Sequence, residues 1–472
     1  MRKKILLLLG PLLCLLISLG PIEILNPEAD KVLGVAVWMI LWWITEAVSI
    51  SVTALIPLCF YPLLGIMPIK EVSANYSHPI VFLFFGGFIL ALALEKVNLH
   101  RRIALNIIKL TGTRPDRVVL GFIIATALLS MWISNTATAV VMLPIAYSVI
   151  DLLTNDADGY TKGDHNFSLA ILLGVAYAAN VGGMATLIGT PPNLVLAAFM
   201  ENEYGYSISF VKWMMVGLPV SLLMLGCIYL LLTKILFPNK LDTLGDSAAL
   251  IETEIEKLGK ISKAEIYVST IFCVAIFFWI FKNNINEWFP ELELSDTTIS
   301  MVAAFSCFVV MLGDKFILDW EDTKNLPWGI IILFGGGLSL ASGMYGAGIV
   351  DLIGEAVSSY NALGVLVTSI ILISVTLFMT ELISNVALVN IFAPMVAGVA
   401  IGMDIELLHI LIPVAMASSC AFMLPMSTPP NAIVFASGKI KVVDMVKAGV
   451  LLNLIAIALL ILFYKFVIPS VF

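Results

Sequence analysis

Residues 189–193 read Gly-Thr-Pro-Pro-Asn, and residues 427–431 repeat the pattern as Ser-Thr-Pro-Pro-Asn. A Ser-Asn pair precedes each copy: Ser134 lies 56 residues before Thr190, and Ser384 lies 44 residues before Thr428. The 12-residue difference is about the size of the polar loop 154–166. We therefore interpret the two segments as copies of one unit, with a surface insertion in the first copy.

Two further features support the repeat. Leu-Phe-Phe-Gly-Gly at 83–87 matches Leu-Phe-Gly-Gly-Gly at 333–337. Ser130 precedes the first Ser-Asn pair by four residues, and Thr380 precedes the second by four. Each half thus carries a glycine-rich segment, a Ser-Asn pair and a Thr-Pro-Pro-Asn segment in the same order.

The composition places both halves in a bilayer. Of 472 residues, 60% are hydrophobic and 12% are charged, whereas soluble chains carry about 25% charged residues. This excludes a soluble enzyme, a disordered chain and a nucleic-acid-binding protein. A membrane-spanning backbone is helical or a closed barrel, and the unalternating apolar runs 266–281 and 451–467 exclude the barrel. We predict an all-α polytopic membrane protein.

Charge placement predicts the topology. Arg2, Lys3 and Lys4 precede an apolar stretch that we interpret as an uncleaved first span with a cytoplasmic N-terminus in the cell (inner) membrane. Twenty of the 25 Lys and Arg residues become cytoplasmic if 117–150 and 363–400 each return to the side they enter from. Arms of about 15 residues, or about 23 Å, are too short for a core of about 30 Å. The prediction is about 11 transmembrane helices plus two re-entrant hairpins.

The polar breaks divide the chain into four parts. An N-terminal span and first outer loop occupy 1–31, and the first repeat occupies 32–238 with its hairpin at about 117–150. A cytoplasmic interfacial linker occupies 239–263, and the second repeat occupies 264–472 with its hairpin at about 363–400. An odd number of crossings inverts the repeats, which is typical of secondary transporters with a site near mid-membrane.

The repeated motifs favour an anion site. Ser, Asn, Thr and Pro prefer helix starts, so half-helices are expected to begin near Thr136, Pro191, Val386 and Pro429. Their N–H groups and partial positive charge attract anions without any Lys or Arg. Freed carbonyls and hydroxyls suit a small cation such as sodium. A dianion buried at mid-membrane needs positive charge beside it, which makes cation coupling a natural mechanism.

Two acids, Glu46 and Glu381, lie in apolar surroundings. Intramembrane acids are functional in most cases, so each is a candidate cation or proton relay. The alternative is a carboxylate that binds neighbouring backbone N–H groups, and we favour that structural role for both. The four histidines and six cysteines are too dispersed to predict a metal centre or a disulfide framework.

Five segments give the chain a family resemblance. They are Trp-Trp-Ile-Thr-Glu-Ala at 42–47, Ser-Asn-Thr-Ala-Thr-Ala at 134–139, Ile-Gly-Thr-Pro-Pro-Asn at 188–193, Thr-Glu-Leu-Ile-Ser-Asn at 380–385 and Leu-Pro-Met-Ser-Thr-Pro-Pro-Asn-Ala at 424–432. With them the chain resembles the divalent anion:sodium symporters, also called INDY-type transporters, over nearly its whole length. The resemblance implies a homodimer whose scaffold and transport domains interleave across both repeats and move as an elevator. It also implies sodium-driven uptake of di- or tricarboxylates of the citric-acid-cycle type, such as succinate, malate, fumarate and 2-oxoglutarate.

The resemblance also implies site residues. Two or more sodium ions and no organic cofactor are expected. Substrate carboxylates would contact Ser134, Asn135, Thr136, Thr190, Ser384, Asn385 and Thr428. One sodium site would use Ser130, Ser134, Asn135 and Gly189, and the other would use Thr380, Ile383, Asn385 and Ser427.

One departure from the family pattern keeps the substrate open. The second Ser-Asn-Thr motif reads Ser384-Asn385-Val386, so one hydroxyl is missing. A sodium-independent dicarboxylate exchanger, or a transporter of another divalent anion such as sulfate, remains an alternative. An intramembrane hydrolase is disfavoured because the sequence has no Ser–His or Asp–Asp pair at membrane depth, and it has no HExxH or Walker A motif. We therefore expect no enzyme activity, and repeated discontinuous helices favour a transporter over a channel.

Overall fold

The computed structural model describes residues 2–20, 24–112, 114–154, 161–239, 245–359 and 364–472. Parts of the predicted loop 154–166 and of the predicted linker 239–263 therefore lie outside the described residues. The chain is almost wholly helical where described, which confirms the predicted fold class. The helices are α1 (Arg2–Leu19), α2 (Pro27–Thr45), α3 (Ile50–Thr53), α4 (Ile56–Leu64), α5 (Ile69–Tyr76), α6 (Pro79–Lys96), α7 (Leu99–Thr111), α8 (Pro115–Ser130), α9 (Asn135–Thr154), α10 (Lys162–Gly183), α11 (Pro191–Tyr204), α12 (Phe210–Leu230), α13 (Gly245–Lys257), α14 (Lys263–Trp288), α15 (Asp296–Val309), α16 (Trp328–Gly346), α17 (Ile349–Ser359), α18 (Gly364–Met379), α19 (Asn385–Gly402), α20 (Leu407–Ala417), α21 (Pro429–Phe435), α22 (Val442–Phe466) and α23 (Ile468–Val471).

Short elements complete the fold. A π-helical turn, Leu231–Leu236, extends α12, and 3₁₀ turns occupy Pro290–Leu292 and Trp320–Asn325. Strands β1 (Met311–Leu312) and β2 (Lys315–Phe316) form a small antiparallel hairpin. Within the described ranges, seven helical stretches are long and apolar enough to cross a membrane, and shorter apolar helices of 10–17 residues accompany them. The chain is an integral membrane protein, and the figure of eleven spans stays a prediction.

Both predicted hairpins are present as helix–break–helix units. The first arms, α8 and α18, have 16 residues each, or about 24 Å, as expected. The second arms are longer than expected: α9 has 20 residues and α19 has 18, or about 30 and 27 Å. The extra residues lie at the helix ends, because α9 runs from Asn135 to Thr154 and α19 from Asn385 to Gly402. Each also contains a proline, Pro144 or Pro394, which membrane helices tolerate.

Helix α10 forms the centre of the fold. Every residue from Phe167 to Gly183 is buried, so this helix is surrounded by protein along five turns. By contrast, α14 buries only Glu265, Val268, Ala275 and Trp279 among its 26 residues, as expected for a helix at the periphery. The end of α10, after which the chain breaks before α11, is therefore held by packed protein on all sides.

Ion pairs fasten the segment that joins the two halves. Arg102 on α7 binds Glu265 with Nε–Oε1 at 2.5 Å, and it also donates to the carbonyl oxygens of Leu258 and Gly259. Arg101 binds Glu254 of α13 at 2.5 Å. The hydrogen bond from Lys257 and the nearby Arg101 hold the pKa of the Glu254 carboxyl below its usual range.

Candidate functional site

Four helix breaks from the two repeats meet at one cavity of about 500 Å³. The breaks lie between α8 and α9, α10 and α11, α18 and α19, and α20 and α21. They contribute a surface of hydroxyls, amides and backbone that we call the polar floor, formed by Ser134, Asn135, Thr136, Gly189, Thr190, Ser384, Asn385, Ser427 and Thr428. A second set of lining residues lies outside the four breaks, and we call it the facing wall: Glu46, Ile50, Phe84, Gly87, Phe88, Ile330 and Leu333.

The structure brings the sequence-predicted residues together. All seven predicted substrate residues line the cavity, and so do Gly189, Ile383 and Ser427 from the predicted sodium sets. Ser130 and Thr380 do not line it. They are fully buried directly behind the floor, where each contacts the asparagine of its own Ser-Asn pair.

The two halves use the same hydrogen-bond geometry. The Ser130 hydroxyl oxygen lies 2.7 Å from Asn135 Oδ1 and 2.7 Å from the carbonyl oxygen of Ala179. The Thr380 hydroxyl oxygen lies 2.7 Å from Asn385 Oδ1 and also bonds a carbonyl oxygen on the neighbouring break. One hydroxyl has a single proton, so each cluster of three oxygens carries surplus acceptor lone pairs.

The last asparagine of each Thr-Pro-Pro-Asn segment shapes its break. Asn193 Nδ2 donates to the carbonyls of Gly183 (3.2 Å) and Thr186 (2.8 Å), which lie ten and seven residues earlier. Asn431 Nδ2 donates to carbonyls at the same two spacings, those of Ala421 and Leu424, both at 3.1 Å. The motif thus folds the preceding loop back onto the start of the following helix, and these asparagines act as structural supports.

Glycine allows the first break to pack closely. A Cβ on Gly183 would lie 2.5 Å from Asn135 Oδ1 and 3.1 Å from the Gly189 carbonyl oxygen. With any side chain at residue 183, the Asn135 amide oxygen would have to move away. Two oxygens of the predicted first sodium set therefore converge on the space beside Gly183.

The two intramembrane acids have different surroundings. Glu381 is buried, and its carboxylate accepts hydrogen bonds from the backbone N–H groups of Phe422, Met423 and Leu424 and from Asn453 Nδ2. The structural role that we favoured is confirmed there. It is wrong for Glu46, which is exposed on the facing wall and has no hydrogen-bond or ion-pair partner in the described part of the chain. The difference arises because α2 ends at the cavity rather than against another break.

Sequence reasoning missed Asn180, which lines the cavity near the end of α10. Its Nδ2 lies 3.1 Å from both Thr428 Oγ1 and the Ala421 carbonyl oxygen, so it connects the first repeat to the second. Its Oδ1 is buried without a partner among the described residues, as is the Ser419 hydroxyl across the repeat. One signal was available: Asn180 is a lone amide in the otherwise apolar run 169–183.

A helical membrane protein in which broken helices of two repeats enclose one polar cavity is built as a membrane transporter. The family profile described as the sodium:sulfate symporter transmembrane region matches residues 2–469. The chain belongs to this family, the divalent anion:sodium symporters, as its motifs predicted.

Named relatives and solved structures agree with this placement. The sodium-dependent dicarboxylate transporter SdcS of Staphylococcus saprophyticus is 39% identical over 473 residues, covering 98% of this chain and 91% of SdcS. SdcS of Staphylococcus aureus strain USA300 is 39% identical over 476 residues with the same coverage. Neisseria gonorrhoeae MtrF, from a class of antimetabolite efflux pumps, has a TM-score of 0.61 at 12% identity over 97% of each chain. The Alcanivorax borkumensis YdaH transporter has a TM-score of 0.56 at 13% identity, covering 99% of this chain and 98% of YdaH. These two structures support the fold alone.

Proposed function

We propose that the chain is a secondary active symporter that couples sodium to the uptake of di- or tricarboxylates of the citric-acid-cycle type. The observation that carries this proposal is the polar floor, in which two Ser-Asn pairs and two Thr-Pro starts converge without a basic side chain among the described lining residues. Full-length similarity to two sodium-dependent dicarboxylate transporters supports the same substrate class.

Helix starts provide the anion-binding groups. Helices α9, α11 and α19 begin at the cavity and have 14–20 residues, so each presents unpaired N–H groups and a positive dipole end. The fourth helix, α21, has only 7 residues and contributes a weaker dipole. The Thr190 side chain makes no capping bond to α11, and the Ser384 side chain makes none to α19. Neither hydroxyl donates a recorded hydrogen bond to another described residue, so both protons are available to a carboxylate.

The oxygen clusters behind the floor suit the cations. In each Ser-Asn pair the amide oxygen turns toward Ser130 or Thr380, while the amide nitrogen has no recorded partner among the described residues. We assign the amide oxygens to sodium and the amide nitrogens to the substrate, which places positive charge beside the bound anion. Two equivalent clusters predict at least two sodium ions.

The cavity and the wall are consistent with alternating access. A volume of about 500 Å³ is in the usual range for small-molecule sites and accommodates a small dicarboxylate with its cations. The floor belongs to the broken helices, whereas the wall belongs to the end of α2 and to α3, α6 and α16. We propose that these groups form the transport and scaffold domains of an elevator in a homodimer with a cytoplasmic N-terminus.

Uptake into proteoliposomes tests the function. Radiolabelled succinate uptake is measured while sodium, protons and internal counter-substrate are varied in turn. We expect uptake to require an inward sodium gradient. Robust succinate counterflow without sodium would overturn symport in favour of the exchanger, and sulfate uptake without succinate uptake would overturn the substrate class.

Two asparagine variants test the site. Asn135→Ala and Asn385→Ala remove groups assigned to both ligands, so each should abolish uptake while the protein still elutes as a folded species. Asn106→Ala is the matched control because Asn106 is exposed on α7 and bonds only the Arg102 carbonyl oxygen among described partners. Normal uptake by either cavity variant would refute the assignment.

A further inference from the structure

Glu46 is the one ionisable residue among the described residues that line the cavity. It follows the last residue of α2 and stands on the facing wall, among apolar side chains such as Phe84, Phe88 and Ile330. It is exposed and has no recorded hydrogen bond or ion pair with another described residue. A carboxylate with no recorded partner among the described residues therefore lines the same cavity as helix starts and hydroxyls that suit anions.

The backbone fixes where this carboxylate begins. Glu46 has φ 46° and ψ 40°, the left-handed conformation that side-chain-bearing residues rarely adopt. Trp43 Nε1 donates to the Ile50 carbonyl oxygen at 3.1 Å, which closes the turn that contains Glu46. The buried Ala47 follows it directly. The turn thus holds Glu46 at the cavity edge instead of leaving it on a loose loop.

A carboxylate in this position opposes an anionic substrate. Two negative charges that share one cavity repel each other. Cations in the two oxygen clusters behind the floor would offset the repulsion, since they lie beside the same cavity. The penalty therefore applies to an anion that enters without its cations.

Building on the function proposed above, we propose that Glu46 is a coupling residue that disfavours dicarboxylate binding to the cation-free cavity. By this mechanism the negative charge of Glu46 lowers the affinity for the substrate more when the cations are absent than when they are bound. Glu46 itself binds neither the cation nor the substrate. Its contribution is electrostatic, and a neutral side chain in the same place should remove it.

Glu46→Asn and Glu46→Asp form a matched pair, because both residues tolerate the left-handed conformation and they differ in charge. Glu46→Gln keeps the side-chain length of Glu and controls for any packing effect of the shorter Asn and Asp side chains. Succinate affinity is measured by calorimetry on the full-length purified protein, in saturating sodium and with sodium replaced by choline. Sodium-free uptake into proteoliposomes is measured in parallel.

We expect the Asn and Gln variants to bind succinate about tenfold more tightly than the wild type without sodium, and to raise sodium-free uptake correspondingly. Affinity in saturating sodium should stay within about threefold, and the Asp variant should behave as the wild type. If the wild type depends on sodium and the Asn and Gln variants bind succinate without sodium no more tightly than the wild type does, this inference is overturned and the proposed function is not. Weaker binding in saturating sodium for Asn but not Asp would overturn it by identifying Glu46 as a cation ligand. A wild type that neither binds nor transports succinate in sodium would overturn the proposed function, and this inference with it.

Discussion

The substitution Gly183→Ala tests the first oxygen cluster with a single methyl group. The added Cβ would lie 2.5 Å from Asn135 Oδ1, 3.1 Å from the Gly189 carbonyl oxygen and 3.2 Å from Thr190 Cβ. A carbon–oxygen contact needs about 3.3 Å, so the amide oxygen must retreat by about 0.8 Å. Asn135 cannot yield freely, because its oxygen is held 2.7 Å from the Ser130 hydroxyl.

The size of the effect follows from this displacement. Metal–ligand distances are held within about 0.2 Å, so a retreat four times larger should remove the amide oxygen as a cation ligand. We expect the sodium concentration for half-maximal uptake to rise at least tenfold, which corresponds to about 1.4 kcal/mol. Overpacking costs about 1–3 kcal/mol, and the better helix propensity of Ala offsets about 1 kcal/mol of it. The variant should therefore fold with a stability loss of about 0–2 kcal/mol.

Sodium-activation curves of succinate uptake, together with thermal unfolding in detergent, provide the assay. Gly226→Ala is the control, because a Cβ at that exposed position of α12 meets no atom within 4 Å. The control should keep the wild-type sodium curve. If Gly183→Ala also keeps that curve while remaining folded, the placement of a cation between Asn135 and Gly189 is refuted.

Three further predictions concern the rest of the molecule. Val386→Thr restores a hydroxyl to the cavity and should shift the relative inhibition of uptake by succinate, citrate and sulfate about two- to tenfold, for a hydrogen bond of about 0.5–1.5 kcal/mol; an identical inhibition profile would show that residue 386 does not contact the anion. Arg102→Ala strands the buried Glu265 carboxylate and should lower the free energy of unfolding by about 3–5 kcal/mol, whereas Lys109→Ala, in an exposed pair, should leave the melting temperature almost unchanged; equal melting temperatures of the two variants would contradict this. Glu381→Gln should cost about 1–3 kcal/mol, because an NH₂ group replaces one of the two carboxylate oxygens and cannot accept from the backbone N–H groups around it, and an unchanged melting temperature would argue against that role.

The helix breaks could be predicted because their causes are local. Thr190 and Pro191 favour a helix start, and so do Thr428 and Pro429. The structure begins α11 and α21 at the two prolines, as expected. Helices α9 and α19 begin at Asn135 and Asn385, one residue before the predicted starts. A helix break that depends on four or five consecutive residues can be predicted without knowledge of the segments that pack against it.

Contacts between distant segments could not be predicted in the same way. Asn180 meets Thr428 across 248 residues, and no short-range pattern encodes that contact. The lengths of α9 and α19 were also missed, because both helices continue past the expected ends at about 150 and 400, to Thr154 and Gly402. Several residues of the facing wall lie in segments that the sequence analysis singled out, such as Glu46 in 42–47 and Leu333 in 333–337, but no short-range pattern predicts that these segments line one cavity.

The comparison of the repeats explains why Glu381 is hydrogen-bonded to backbone N–H groups and Glu46 is not. Asn193 and Asn431 define equivalent positions, which pair Thr186 with Leu424. In the first repeat, the Thr186 hydroxyl donates to the Met131 carbonyl oxygen and accepts from the Gly189 N–H. Leu424 has no hydroxyl, and the second repeat instead uses Glu381 to bind the backbone of its break.

The Glu381 carboxylate accepts hydrogen bonds from three backbone N–H groups and from the Asn453 side-chain amide. It therefore has the structural role that the Thr186 hydroxyl has in the first repeat. Glu46 has no counterpart of this kind, because no break packs against the end of α2. A carboxylate that binds no backbone group and lines the cavity is instead placed to act on bound charge. The same comparison that removes Glu381 from the list of candidate relays therefore directs the electrostatic test to Glu46.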